Sequence, residues 1–82
     1  MDNIGNIFAA YRKNLKYSQQ DICDKLTGIG IPTKPAAYST WETGNSIPNA
    51  VQFLAMCKIL GITNIFNQFI GGYNPDDPMA EL

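Results

Sequence analysis

A chain of 82 residues is long enough for one small domain with a single core of four or five helices and short for a deep catalytic cleft of its own. It has no histidine and only two cysteines, Cys23 and Cys57, far apart in sequence, so neither a tetrahedral metal site nor a Cys-His nucleophile can be assembled; no enzymatic activity, metal or cofactor is expected. The net charge of -1 hides an asymmetry: Asp2 stands at the front and Asp76, Asp77 and Glu81 at the end, while between them six basic residues meet three acidic ones and leave residues 3–75 at +3, a modest positive field.

The first helix is expected from about Asn3 to Asn14, where Ile4, Ile7, Phe8, Tyr11 and then Leu15 recur at spacings of three and four. Arg12, Lys13 and Lys16 gather at its C-terminal end. Ser18 opens a second helix that reaches Leu26, its hydroxyl placed to accept from the first N–H groups, and Asp21 follows three residues on, where a carboxylate favours the positive helix end. Ile22, Cys23 and Leu26 form its buried side, and fraying is expected at Thr27 and Gly28. A third helix begins near Lys34 or Pro35, with Thr33 or Lys34 at the cap, and ends at Gly44 in a left-handed conformation.

Asn49 caps a fourth helix with Phe53, Leu54, Met56, Cys57 and Leu60 as its buried side, and Gly61 ends it. Thr63 starts a short fifth helix, Asn64 to Ile70, in which Ile65, Phe66, Phe69 and Ile70 are apolar. Gly71 and Gly72 stop it. The division expected is therefore a domain over residues 1–72 and a flexible acidic tail or linker over 73–82, broken by Pro75 and Pro78. No basic stretch followed by a long apolar run opens the chain, and no window approaches the roughly 18 apolar residues of a membrane helix. A cytoplasmic protein with no membrane contact is expected, its cysteines small buried hydrophobes in a reducing compartment.

Ser18 to Leu26 and the later run Ala37-Tyr38-Ser39-Thr40-Trp41-Glu42-Thr43-Gly44 read as two short helices joined by a turn, the unit that inserts one helix into the DNA major groove. Arg12, Ser18-Gln19, Ile22, Lys25-Leu26, Ser39, Trp41-Glu42, Gly44, Pro48, Leu54 and Leu60-Gly61-Ile62 stand in an order and spacing that resembles the phage-repressor and Cro-like helix-turn-helix proteins, the XRE family, over about Ile4 to Ile70. The resemblance implies an all-α, compact five-helix lambda-repressor-like helix-turn-helix domain. It also implies a sequence-specific transcriptional regulator, a repressor, that binds double-stranded DNA as a homodimer with its third helix in the major groove and its half-sites about one helical turn apart. One departure is the run Thr27-Gly28-Ile29-Gly30-Ile31, about five residues more than the compact family pattern, which makes the turn a loop. Within it, Ile29 or Ile31 is expected to pack against the domain while Gly28 and Gly30 absorb the turn.

Carried over residue by residue, the resemblance gives Gln19 a phosphate contact and a supporting bond to the recognition helix; the alternative is an exposed polar residue at a helix start. Arg12 and Glu42 match a pair linking the first helix to the end of the recognition helix, so a partly buried ion pair is expected in preference to Arg12 reaching phosphate. Tyr38 and Trp41 match core-facing positions. The DNA-facing side is then Lys34, Pro35, Ala36, Ala37, Ser39, Thr40 and Thr43, followed by Asn45 and Ser46. Lys34, with Gln19, is expected to hold phosphate; Ala36 and Thr40 could touch thymine methyls; Ser39, Thr40, Thr43, Asn45 and Ser46 could bond phosphates. This side lacks the Arg, Asn and Gln that read guanine and adenine most sharply, which leaves a second function class open: a helical protein–protein interaction module that has lost DNA affinity. Self-association is expected through the fifth helix, with Phe69 in the contact; the alternative is that this helix caps the core.

Overall fold

In the computed structural model, which describes residues 4–70, the apolar stripe of the first segment forms α1 (Ile4–Asn14). Phe8 is fully buried and Ile4, Ile7 and Tyr11 pack at its flanks. Next come α2 (Gln19–Gly28), α3 (Pro35–Thr43), α4 (Ala50–Leu60) and a π-helical turn, α5 (Phe66–Ile70). Every regular element among the described residues is helical, and all five contribute to the core. Gly71, Gly72 and the expected tail 73–82 lie outside the described residues.

Two helices open on reciprocal capping boxes. Ser18 Oγ accepts from the Asp21 N–H at 3.0 Å while Asp21 Oδ2 accepts from the Ser18 N–H at 2.8 Å, which holds the Asp21 carboxyl below its ordinary range. Asn49 and Gln52 repeat the arrangement at the start of α4, each bond 2.8 Å; the Asn-x-x-Gln spacing was there to be read, and only Asn49 was anticipated. α3 differs. Lys34 stands at its cap position with Pro35 at its first turn and no side chain closing the end.

Three of the helix ends share one device. At the end of α1, Lys16 N–H donates to Lys13 O and Tyr17 N–H to Arg12 O, the paired bonds of a Schellman motif, with Lys16 in the left-handed region at φ 63 where glycine is usual. The same pair closes α2, with Gly30 N–H to Thr27 O and Ile31 N–H to Leu26 O, and α4, with Gly61 N–H to Lys58 O and Ile62 N–H to Cys57 O. This revises the expected loop. Thr27 and Gly28 continue α2 without fraying before the turn, Gly30 alone is left-handed at φ 89, and Ile31 packs on the core while Ile29 stays 48 % exposed.

Four further expectations are corrected. Leu15 falls beyond the end of α1 and is exposed, and Leu54 is 58 % exposed, because Ala55, Met56, Cys57 and Leu60 define the inward arc of α4 and Leu54 lies past its edge. Phe69 does not face outward: it is buried at 2 % in edge-to-face contact with Phe8 and Phe53, with ring centroids 5.9 and 4.8 Å away. The fifth helix is also wound more widely and starts later than the run Asn64 to Ile70, and nothing in residues 64–70 announces a π turn. Cys23 and Cys57 are free and buried as expected, and burial raises both thiol pKa values.

One close approach positions everything that follows. Gly5 is buried where α1 crosses the end of α3, and a Cβ there would fall well under 3.0 Å from the backbone carbonyl oxygens of Trp41 and Glu42. Gly5→Ala would favour an isolated helix by about 1 kcal/mol, yet these atoms are backbone and cannot swing aside. Chemical denaturation should show Gly5→Ala less stable than wild type by roughly 1–3 kcal/mol, the cost of overpacking. Gly30→Val should cost about 1–2 kcal/mol through its left-handed backbone, while Gly28→Val, with open space around a helical residue, should leave the denaturation midpoint nearly unchanged.

Candidate nucleic-acid interface

α3 presents two different sides because its apolar residues are three apart. Tyr38 and Trp41 turn inward, exposed by 0 % and 6 %, with their rings edge to face at 5.7 Å, as expected of core positions. Lys34, Pro35, Ala36, Ala37, Thr43, Gly44, Asn45 and Ser46 are exposed, and Ser39 and Thr40 half-buried. The side read from the sequence as DNA-facing is the side that α3 presents to solvent.

What aims this side is a carboxylate. Glu42 Oε2 accepts from Arg12 Nε at 2.7 Å and from the Tyr38 hydroxyl, and its Oε1 accepts from Arg12 Nη2 at 3.0 Å and Gln19 Nε2 at 3.1 Å. Arg12 Nη1 donates to Tyr17 O at 2.9 Å. The paired side chains of Arg12 and Glu42 are only 12 % and 9 % exposed. A buried carboxylate with this many donors ties α1, α2 and α3 together at one point. Each guanidinium nitrogen of Arg12 is engaged within the fold, so the phosphate reading of Arg12 gives way to the ion pair.

The electrostatics follow from the geometry. Burial pushes the Glu42 carboxyl up, but hydrogen bonds from Arg12, Tyr38 and Gln19 outweigh it and leave the pKa lowered. Burial and the adjacent carboxylate raise the Tyr38 phenol far above its ordinary range, so it stays a donor. The Arg12 guanidinium is raised by the Glu42 hydrogen bond. Helical spacing accounts for Tyr38 by packing alone; the further signal is chemical, since a buried tyrosine hydroxyl needs a partner.

Gln19 is half-buried, and one of its two amide hydrogens is committed to Glu42, leaving the other outside the network. It sits by the last turn of α3, whereas Lys34 stands at the first, about 12 Å away along the axis at 1.5 Å per residue. The two therefore cannot share one phosphate. Among the hydroxyls, Thr40 Oγ1 donates to Ala37 O at 2.6 Å and is bonded to Ser46 Oγ, and Thr43 Oγ1 donates to Thr40 O at 3.2 Å. Ser46 N–H also donates to Thr40 O at 3.1 Å, so the turn after α3 is lashed to the helix. Ser39 and Asn45 side chains make no hydrogen bond among the described residues. The sequence also gave no hint that Lys25 lies over the Tyr17 ring, 4.7 Å from its centroid. Among the described residues no group of three or more acidic, cysteine or histidine side chains could hold a metal ion.

Because the folded-state pKa of Glu42 is depressed, its contribution to stability is full above the ordinary value of 4.5 and is lost as pH falls through the lower folded value. Denaturation midpoints should therefore drop on acidification below pH 4.5, and Glu42→Gln should be less stable at neutral pH with a flatter profile in that window. Arg12→Ala, which strands the carboxylate, should cost roughly 3 kcal/mol at neutral pH. Comparison of the chain with family models, curated proteins and solved structures finds no match.

Proposed function

We propose that this chain is a DNA-binding transcriptional regulator that places α3 in the major groove, in keeping with the resemblance to the phage-repressor and Cro-like proteins. The observation that carries the reading is the orientation of α3: one side is locked into the core through Tyr38, Trp41 and Glu42, and the other faces solvent, with Lys34, Pro35, Ala36, Ala37 and Thr43 exposed and Ser39 and Thr40 half-buried. The start of α3 has no capping side chain and no acidic residue in its first turn, so its free N–H groups and positive dipole end, beside Lys34, suit a phosphate oxygen.

Base recognition on this reading rests on shape and on methyl contacts from Ala36 and Thr40 more than on bidentate hydrogen bonds. Ser39 and Asn45 have uncommitted polar side chains for backbone contacts, while Thr40 and Thr43 direct their protons to carbonyls of the chain itself. That engagement favours the second reading, a helical interaction module without DNA affinity, and one titration separates the two. No helix among the described residues is long and apolar enough to cross a membrane, and two buried free thiols fit a reducing compartment; the cytoplasm is the place we assign.

Affinity for a mixed-sequence duplex should fall linearly on a logarithmic salt axis, and Lys34→Ala should weaken binding to all duplexes alike and reduce the slope by about one. Fluorescence anisotropy with a labelled duplex measures both. No binding to any duplex at low salt would favour the interaction module.

A further inference from the structure

We propose that the groove between the end of α2 and the last turns of α4 is the docking site for an acidic peptide segment of another protein, one that carries an aliphatic side chain between its carboxylates. Lys25, Gly28 and Ile29 line it from α2 and its cap, and Lys58 and Ile59 from α4, around a volume of about 310 Å³. The run Thr27 to Ile31, by which the chain departs from the compact repressor pattern, builds one wall. Here α2 continues to Gly28, Gly30 turns the chain, and Ile31 is drawn against the core, which leaves Ile29 48 % exposed. Ile59, half-buried on α4, supplies the other apolar side chain.

Both charges that line the groove are positive. Lys25 and Lys58 are exposed, and among the described residues neither ammonium is paired with a carboxylate; that of Lys25 lies over the Tyr17 ring. The two acidic side chains of α2 are engaged elsewhere, Asp21 with the Ser18 N–H and Asp24 with the Gln20 amide. An apolar floor flanked by two cations is complementary to the reverse arrangement, an aliphatic group flanked by carboxylates. A second copy of the groove would oppose lysine to lysine, and a nucleic acid would set phosphates against Ile29 and Ile59. The groove is open, and its volume stands at the low end of the ~300–1,000 Å³ of small-molecule sites. It therefore encloses little of a free small ligand, whereas a peptide buries one side chain and continues over the rim on both sides.

One aliphatic anchor and two solvent-exposed ion pairs set a weak contact, with a dissociation constant on the order of 0.1–1 mM, loosened further by salt. The inference stands apart from the DNA-binding reading, since it concerns different residues and its test uses no DNA.

The full chain, isotope-labelled and titrated at low salt with a synthetic peptide in which a leucine stands between two pairs of aspartates, should show saturable NMR shifts centred on the amides of Gly28, Ile29 and Ile59. The same peptide with serine for leucine, or with lysines for aspartates, should not saturate over that range. Gly28→Leu fills the groove from a position where an added side chain meets open space, and should block binding with the melting temperature held. Lys58→Glu should weaken binding by about tenfold. Absence of shifts at the groove, shifts indifferent to the leucine, or binding undiminished in Gly28→Leu would overturn the proposal. Binding that appears only when Asp76→Asn, Asp77→Asn and Glu81→Gln are combined would assign the groove to the chain's own acidic segment and overturn it equally.

Discussion

The Glu42 carboxylate is the point on which the arrangement of α1, α2 and α3 turns. Its two oxygens take hydrogen bonds from Arg12, Gln19 and Tyr38 in a site nearly closed to water. Apolar burial supplies the larger share of the free energy of such a domain, but it is non-directional. A carboxylate with donors from three helices is directional, and it loses most when any donor is missing, because the remaining charge has no water to replace it. Tyr38 joins the two kinds of force: its ring lies in the core against Trp41 and its hydroxyl reaches the carboxylate. The side of α3 left in solvent is thus decided by what the inner side must satisfy.

The helix ends do related work. Each Schellman closure at α1, α2 and α4 is followed by an apolar residue, Tyr17, Ile31 and Ile62 respectively, and each of these packs into or against the core. The chain is turned by backbone hydrogen bonds and anchored one residue later by burial. Tyr17 does more, since its carbonyl accepts from Arg12 and its ring lies under Lys25. The close passage of α1 at Gly5 then brings Arg12, two turns further along the same helix, to the last turn of α3.

Much of this was legible in residue order, and what was not had identifiable causes. The capping of Ser18 and Asn49, the left-handed ends at Gly44 and Gly61, the Arg12–Glu42 pair and the inward turn of Tyr38 and Trp41 each depend on local geometry or on a spacing of three or four, which sequence carries directly. Gly5 looked like any helical glycine, because its reason is a backbone from another helix. Leu54 and Phe69 were assigned the wrong sides: hydrophobicity alone does not rank which of several adjacent apolar residues a core will take, and the tertiary partners Phe8 and Phe53 claimed Phe69. Lys16 in a left-handed turn could not be read, since a lysine carries no mark of that conformation. Of the residues assigned to the candidate interface, the exposure of Lys34, Pro35, Ala36 and Thr43 followed from helical periodicity, whereas the engaged hydroxyls of Thr40 and Thr43 depended on rotamers.

The two buried thiols have a consequence of a different kind. Cys23 lies in α2, tied to the carboxylate network through Gln19, and Cys57 lies buried in α4. Burial keeps both protonated and out of reach of solvent, so in the native state neither attacks a disulfide or an alkylating reagent at an appreciable rate. Each becomes reactive only while its own helix is open. The chain therefore carries two internal clocks of local opening, one for the helix that supports α3 and one for the helix behind it. The ratio of their labelling rates distinguishes a domain that opens as one cooperative unit from one in which α4 peels away while the Arg12–Glu42 connection holds.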